Sequence, residues 1–189
     1  MTDLVVATPV FLDLTFVGLE SLPALGEERF AAELLRSPGG GAITAVGAAR
    51  LGLDAAVAAP LGEDVGGDLV RGMLTDEGVR CVASRPAPRT PTTMVMPFGG
   101  DRAMVTIDPG ARAAAADVAA LEPRAVAASL DQLYVVPDLA TAYVTCGDDD
   151  LRAYEGRPPA ALEGAHALFL NQREALGPVS YTHLTLPTN

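Results

Sequence analysis

Residues 37–41 read Ser-Pro-Gly-Gly-Gly and stand directly before a segment of small, apolar residues. This composition predicts a loop over residues 37–41. Residues 42–51 predict a helix that stops at Gly52, because helices commonly end at a glycine. Residues 55–60 predict a short buried strand, and residues 66–76 predict a second helix. The order loop, helix, strand and helix is typical of a parallel α/β sheet.

The chain on either side of this unit predicts further strands. Residues 4–12 form an apolar run typical of a buried strand, interrupted or ended near Pro9, and Asp13 follows directly. Residues 27–36 alternate only loosely and fit either a strand of a lid or a short helix. Residues 91–108 contain two β-rich runs around a Gly-Gly turn, which predicts a hairpin.

The C-terminal third is harder to interpret. The Ala-rich residues 111–130 predict a helix that Pro123 interrupts at most. Residues 132–136 and 142–146 resemble strands, but a parallel crossover needs about a dozen residues between them. Either these two segments are not parallel neighbours, or one of them is not a strand. The last predicted elements are a short helix over 159–164 and a buried strand over 166–170.

Composition narrows the range of functions. The 189 residues suffice for one domain, and a hydrophobic content of 49% allows a buried core. The net charge of -11 leaves no basic face for nucleic acid. No uncharged apolar run is long enough to span a membrane, and the N-terminus lacks the basic start of a signal peptide. The two cysteines, Cys81 and Cys146, form no disulfide framework, so we expect a cytoplasmic protein.

The last residues differ from the rest. Residues 178–189 contain no Ala and three of their last eight residues are Thr, whereas Ala is abundant before them. They resemble the translation of vector or adapter DNA, so we expect the native sequence to end near Leu176 or Gly177. The chain would then be an N-terminal fragment. The alternative is a natural Thr-rich terminus.

The glycine run belongs to an ordered set of short motifs. After the glycines come Ala42, Ile43 and further small residues, with Gly52 and Gly62 at fixed distances. The supporting blocks are Asp13 after the first strand, Leu22-Pro23, Gly26-Glu27, Leu61-Gly62-Glu63-Asp64 with Gly66, Leu74, Gly78 and Val79, Pro109-Gly110-Ala111, and Asn171 with Glu174. Over residues 3–176 this set resembles the ribokinase-like (PfkB) carbohydrate kinases, which carry an Asn at the position of Ile43.

The resemblance implies a fold and an activity. The fold would be the N-terminal half of a ribokinase-like three-layer α/β/α sandwich with a small β-sheet lid. Residues 1–177 would form this part, with lid segments around residues 14–36 and 91–110. The activity would be ATP-dependent phosphorylation of a sugar or sugar-like alcohol. The family's catalytic Asp, in a Gly-Ala-Gly-Asp segment, is not present, so we expect this chain to be inactive.

The resemblance also implies a substrate site at Asp13, Gly39, Gly40, Gly41 and Ile43. A carboxylate accepts hydrogen bonds from sugar hydroxyls, and glycines let the main chain approach the ligand. Each motif has a simpler interpretation: an Asp can cap a turn, and glycines can form a tight loop. Ile43 cannot hydrogen-bond a sugar, which puts the identity of the substrate in doubt. An alignment shifted by one residue would place Thr44 there.

The same resemblance implies that Asn171 and Glu174 serve ATP and Mg²⁺, with Glu174 acting on the metal through water. The alternative is an Asn that caps a helix. Asp138 lies near a second sugar-contact region of the family. We interpret His166 and Cys146 as structural, and residues 148–150, three aspartates, as a solvated turn rather than a metal site.

Other functions are compatible with parts of the sequence. A non-catalytic sugar-binding domain of the same fold is supported by Ile43 alone. A dinucleotide-binding oxidoreductase is disfavoured, because the glycine run lacks the Gly-x-Gly-x-x-Gly spacing. The expected partner is a small sugar, with neither nucleic acid nor membrane, and the lid offers a surface for a homodimer.

Overall fold

The computed structural model describes residues 1–147 and 160–171 of the chain. These two segments contain ten strands, three α-helices and two short 3-10 helices. The strands are β1 (Thr2–Val6), β2 (Val10–Val17), β3 (Glu33–Gly40), β4 (Ala55–Val57), β5 (Arg80–Cys81), β6 (Thr92–Phe98), β7 (Asp101–Ile107), β8 (Pro123–Ser129), β9 (Thr141–Thr145) and β10 (Ala167–Phe169). The α-helices are α1 (Gly41–Arg50), α2 (Val65–Asp76) and α3 (Ala115–Ala120), and the 3-10 helices span Leu130–Val135 and Ala160–Gly164.

Six strands form an all-parallel sheet in the order β10-β9-β8-β1-β4-β5. In its centre, Val5 of β1 pairs with Ala56 of β4 on one side and with Val126 of β8 on the other. All three side chains are fully buried. Parallel sheets are buried on both faces, which explains why these strands are short runs of Val and Ala.

Helices cover both faces of this sheet and make three layers. On one face, α1 and α2 bury Ala45 and Leu74 in a core that includes Val6. On the other face, α3 and the 3-10 helix Leu130–Val135 pack around Val118. The structure is therefore the α/β/α sandwich that the sequence predicted.

Four strands form a second sheet, the lid sheet, in the order β3-β2-β6-β7. β2 runs antiparallel to β3 and parallel to β6, and β6 and β7 form a hairpin. Val10 and Leu12 of β2 are buried in the core beneath α1 and α2. Because successive side chains on a strand point to opposite faces, Phe11 and Asp13 lie on the other face of the lid sheet.

A hydrogen-bonded clamp attaches the lid sheet to α2. The Asp64 carboxylate caps α2 by accepting from the Gly67 N–H at 2.8 Å. It also accepts from the Thr90 N–H at 2.8 Å and from the Thr90 hydroxyl at 2.6 Å. Since Thr90 lies two residues before β6, these bonds fix the point where the chain enters the lid sheet.

The locally encoded elements agree with their predictions. α1 and α2 lie within one residue of the predicted boundaries, and Gly78 follows α2 with a φ of 72°. The predicted hairpin is present as β6 and β7, and both glycines of its turn, Gly99 and Gly100, have positive φ. β4, β9, β10 and the 3-10 helix Ala160–Gly164 also match predicted segments, although β4 and β10 are shorter than expected.

Two predictions near the N-terminus are wrong. The run 4–12 is interrupted near Pro9, as predicted, but its two parts lie in different sheets, because the chain leaves the parallel sheet after Val6 and enters the lid sheet at Val10. Asp13 consequently lies within a lid strand and not at the end of the first strand. The segment 37–41 is not a loop, because β3 continues to Gly40 in antiparallel pairing with β2. Cross-strand pairing there overrides the weak strand preference of glycine and proline.

Two predictions in the C-terminal third are also wrong. Only Ala115–Ala120 of the predicted helix 111–130 is helical, and β8 begins at Pro123. Glu122, with a φ of 46°, turns the chain out of the helix. The predicted strand 132–136 is instead the 3-10 helix Leu130–Val135. This resolves the crossover problem, because β9 pairs with β8 in parallel and the 3-10 helix lies in the connection.

Several predictions fall outside the described residues: the three aspartates at 148–150, Glu174, and the tail 178–189. In the part of the chain that is described, none of the helices has the length and hydropathy that crossing a bilayer requires.

Candidate functional site

A cleft of about 630 Å³ lies at the carboxyl edge of the parallel sheet, next to the lid sheet. Open α/β sheets bind their ligands at this edge, where strands end and helices begin. The residues around the cleft come from the ends of β1, β8 and β9, the first turn of α1, the β2 strand and the segment after β7. They are Val6, Thr8, Pro9, Phe11, Gly40, Gly41, Thr44, Asp108, Arg112, Ala127, Ser129, Asp131, Thr145, Cys146 and Gly147.

The structure brings Asp13 and Gly39 into direct contact. A Cβ atom placed on Gly39 would lie 2.1 Å from Oδ2 and 2.2 Å from Cγ of Asp13. Only a residue without a side chain therefore allows the carboxylate to occupy this position. Asp13 is not among the residues that line the cleft. It shares a lid face with Phe11, which lines the cleft, and it contacts Gly39, the neighbour of the lining residue Gly40.

The next two glycines are required for different reasons. Gly40 has a φ of 58°, in the left-handed region that favours glycine. A Cβ on Gly41 would lie 2.1 Å from the Thr8 hydroxyl oxygen and 3.0 Å from the Thr8 carbonyl oxygen. Gly41 is the first residue of α1, and Gly40 and Gly41 both line the cleft. The Gly41 N–H donates to the Pro9 carbonyl oxygen at 2.9 Å. The N–H groups that follow it in the first turn of α1 point toward this region, where they favour an electronegative ligand atom.

Polar residues continue from Asp13 across the lid sheet. Asp13 pairs with Thr93 of β6, and Thr93 pairs with Thr106 of β7. The two threonine hydroxyls are 3.1 Å apart. Burial raises the pKa of the Asp13 carboxyl, against the opposing effects of a hydrogen bond from Thr93 and the charge of Arg102. A partly desolvated carboxylate of this kind is a strong acceptor for ligand hydroxyls.

A second polar group at the cleft centres on Arg112. Its Nε donates to Oδ2 of Asp131 at 3.2 Å, and its Nη1 donates to Oδ2 of Asp108 at 3.0 Å. Nη1 also donates to the Ala111 carbonyl oxygen at 3.2 Å. Asp108 follows the last lid strand and Asp131 follows β8, so this guanidinium connects the lid sheet to the parallel sheet.

Buried hydrogen bonds hold Asp131 in place. The Ser129 hydroxyl donates to Oδ1 of Asp131 at 2.5 Å, and the Gln132 side-chain amide donates to the same hydroxyl oxygen at 2.9 Å. Gln132 is 1% exposed, and its amide oxygen accepts from the Ala113 N–H at 3.1 Å. This network orients one carboxylate toward the cleft from the end of β8.

Two other sequence-predicted site residues lie apart from this group. Ile43 is 65% exposed and lines a separate groove with Pro38, Val46 and Met73. Thr44, the alternative for that position, does line the cleft. Asn171 follows β10 at the carboxyl edge of the parallel sheet and is exposed, and Glu174 lies outside the described residues.

The three remaining candidates have structural surroundings. Asp138 is exposed on the connection before β9. The His166 ring makes an edge contact with Tyr143, with ring centroids 5.3 Å apart. Cys146 is buried at the end of β9, in a small core and beside the cleft.

Sequence analysis did not identify Arg112, Asp108 and Asp131 as candidate site residues. Asp108 was included in the end of the hairpin, and Asp131 fell between two segments whose secondary structure was predicted incorrectly. The usable signal was Asp131, two residues after β8, because the carboxyl ends of parallel strands gather at one edge. Asp108 follows a lid strand that is antiparallel to β6, so it gave no such signal. The prediction of β8 was needed before that signal could be recognised.

Among the residues that line the cleft, Asp108 and Asp131 are hydrogen-bond acceptors and Arg112 is a donor, and Asp13 contacts the strand that carries the lining residue Gly40. This set suits a ligand with several hydroxyl groups. In the described part of the chain, no group of three or more His, Cys, Asp or Glu residues is placed to hold a metal ion.

Comparisons with known proteins agree with this fold. The family model described as pfkB family carbohydrate kinase matches residues 20–177. No curated protein matches the chain. Three solved structures are similar: a microbiome-derived acarbose kinase (TM-score 0.72, 17% identity), an uncharacterized sugar kinase from Pyrococcus horikoshii (0.70, 19%) and the ribokinase of Arabidopsis thaliana complexed with ribose and ATP (0.64, 21%).

The matches cover 89%, 92% and 88% of this chain, respectively, but 60%, 64% and 59% of the matched chains. The chain therefore spans less than two thirds of the length of these sugar kinases, and at such low identities the likeness shows a shared fold.

Proposed function

Since the chain belongs to the pfkB family of carbohydrate kinases, we propose that it is the sugar-binding part of an enzyme that phosphorylates a sugar or sugar-like alcohol with ATP. The observation that carries this proposal is the contact between Asp13 and Gly39 beside a cleft at the carboxyl edge of the sheet. This contact supports the proposal, because a carboxylate, a glycine main chain and a helix start would then surround one sugar.

Each part has a role in sugar binding. Asp13 and Asp131 accept hydrogen bonds from sugar hydroxyls, and N–H groups at the start of α1 donate to sugar oxygens. The lid sheet covers the cleft and reduces its contact with water, which strengthens these polar interactions. Phe11 and Pro9 provide the apolar surface against which the C–H faces of a sugar ring can pack.

The described residues do not form a site for Mg²⁺ or for the ATP phosphates. Arg112 is the one basic side chain among the described residues that line the cleft, and two carboxylates already bind it. Of the proposed pair Asn171 and Glu174, the described part of the chain contains only Asn171. We therefore propose that the catalytic base and most of the nucleotide site belong to a C-terminal part of a longer enzyme, and that this chain alone is inactive.

We also propose a homodimer formed through the lid sheet. Several apolar lid residues are exposed, among them Leu35 at 46%, Met104 at 54% and Val105 at 60%. Leu35 and Met104 lie on the lid face that carries Asp13, one row further from the core. Light scattering after gel filtration measures the mass, and a Met104→Glu variant would remain monomeric if this surface forms the dimer.

The test of the main proposal separates binding from turnover. The ¹⁵N-labelled chain is titrated with pentoses and hexoses, and we expect shifts at residues around the cleft that an Asp13→Ala variant loses. A coupled ADP-release assay then compares this chain with the full-length protein encoded by its gene. We expect turnover from the full-length protein alone.

Three outcomes would contradict this proposal. Turnover by the purified chain that Asp13→Ala abolishes would refute the inactive fragment. Binding without turnover in the full-length protein would favour a non-catalytic sugar-binding domain. Absence of cleft shifts with every sugar would remove the assignment of this cleft as the sugar site.

A further inference from the structure

Resting on the function proposed above, we infer that the cleft selects uncharged polyhydroxy substrates and rejects sugars with a carboxylate or phosphate group, because Asp108 and Asp131 both engage Arg112. This inference concerns the class of sugar and assigns the selection to named residues. It depends on the charge balance of the cleft and on the geometry of one guanidinium.

The charged residues around the cleft sum to a net negative value. Among the described lining residues, Asp108 and Asp131 carry negative charge and Arg112 carries positive charge. The other nearby guanidinium, that of Arg102, interacts with Asp13, whose carboxylate offsets it in turn. An anionic ligand in this cleft therefore meets more negative than positive charge, and the partly buried setting screens that repulsion less than bulk water would.

The guanidinium of Arg112 is not available as an anion clamp. Recognition of a carboxylate or phosphate by arginine typically uses two parallel N–H groups of the planar fork. Here Nε donates to Asp131 and Nη1 donates to Asp108. An anion could obtain a bidentate contact only by displacing one of these carboxylates, which would leave a second negative charge beside it.

One donor group of Arg112 remains for a neutral ligand. Within the described residues, Nη2 makes no hydrogen bond, while Nε and Nη1 fix the plane in which it lies. The two N–H bonds of Nη2 diverge, so they suit separate hydroxyl oxygens of a sugar rather than the paired oxygens of one anion. Asp131 has its own orientation fixed by Ser129, and it can accept from a neighbouring hydroxyl. Arg112 and Asp131 would then each hydrogen-bond to a hydroxyl group of a neutral sugar.

The experiment uses ligand pairs that differ mainly in charge. The ¹⁵N-labelled chain is titrated at low salt with D-glucuronamide and D-glucuronate, and with D-ribose and D-ribose 5-phosphate. We expect the neutral member of a binding pair to bind at least about 10-fold more tightly than the anionic member. The double variant Asp108→Asn/Asp131→Asn frees the guanidinium, and we expect it to reduce or reverse this preference by about 10-fold or more.

Controls separate charge from unfolding. Asp68→Asn removes the acidic partner of another arginine, Arg71, on the surface of α2, and it should leave the preference unchanged. Thermal unfolding verifies that each variant is folded. If the double variant unfolds, Asp131→Asn alone replaces it, because Asp108 also accepts from the Gly110 N–H and supports that turn.

The outcomes distinguish this inference from the proposed function. Equal or tighter binding of the anionic member by the unaltered chain overturns the inference and leaves sugar binding intact. The same preference in the folded variant overturns the role of the two carboxylates. Absence of cleft shifts with all four ligands counts against the sugar site itself, and the inference fails with it.

Discussion

Replacing Gly39 by Ala tests whether the contact with Asp13 sets the site. The added methyl carbon would lie 2.1–2.4 Å from three atoms of the Asp13 carboxyl group, whereas ordinary contacts lie at 3.4–4 Å. The carboxylate must therefore move by more than about 1 Å. It can do so by rotating, because the clashing atoms are at the end of a side chain. That rotation takes it out of the position beside the cleft.

The expected effects on stability and on binding differ in size. Overpacking costs about 1–3 kcal/mol, and the lower entropy of Ala in the unfolded chain returns about 0.4–1 kcal/mol. We expect a net loss of about 0–2.6 kcal/mol in the free energy of unfolding. Displacing a binding group by about 1 Å can cost roughly 100-fold, so we expect sugar affinity to fall by about 10- to 100-fold.

The assay combines urea unfolding with sugar titration by NMR. Gly47→Ala is the matched control, because a Cβ at Gly47 meets nothing within 4 Å and the residue lies inside α1. We expect this control to raise stability by about 0.5–1 kcal/mol with unchanged affinity. Adding Gly39→Ala to an Asp13→Ala background should cost no stability, because the clashing atoms are gone.

Two results would refute this reasoning. One is a Gly39→Ala variant with unchanged sugar affinity and an unmoved Asp13 carboxylate in its structure. The other is an equal stability cost of Gly39→Ala with and without the Asp13 side chain, since the clash would then lie elsewhere.

The remaining predictions concern other carboxylates and one strained residue. Asp64→Ala removes the cap of α2 and both bonds to Thr90, and we expect the free energy of unfolding in urea to fall by about 1–3 kcal/mol. Because these bonds lower the pKa of Asp64, the stability they add should decline as pH falls through that pKa. An equal loss of stability at acidic pH would contradict this. Burial raises the pKa of Asp13 in the native state, so the native state binds more protons than the unfolded state, and stability falls as pH rises through this pKa. Asp13→Asn should therefore be more stable than the unaltered chain at pH 7, and the difference in stability should shrink at acidic pH. Glu122→Gly should raise stability by up to about 1 kcal/mol in the same assay, because its φ of 46° suits glycine, and a loss would show that the ion pair with the N-terminus matters more.

Sequence analysis succeeded where the signal is local. α1 and α2 are bounded by Gly52 and Gly78, which both adopt positive φ and end the helices through their own backbone freedom. The Gly99-Gly100 turn fixes the β6–β7 hairpin in the same way. These features depend on a few consecutive residues, so the chain alone encodes them.

Sequence analysis failed where distant strands decide the structure. Residues 123–129 are as compatible with a helix as with a strand, and they become β8 because β1 and β9 lie on either side. Pro38 and Gly39 have low strand propensity, yet they extend β3 because β2 pairs with them. Such pairing partners lie far away in the sequence, and the local composition does not reveal them.

The register between β2 and β3 connects the core to the site. Leu12 pairs with Pro38 and faces the core, while Asp13 pairs with Ser37 and faces the other side, where its carboxylate lies over Gly39. A slip of one residue would turn Asp13 toward the core and expose Leu12, which carries a large free-energy penalty. Burial of Leu12 therefore holds the carboxylate beside the cleft. The resemblance could name Asp13 as a candidate, whereas the position of its side chain required the paired strands.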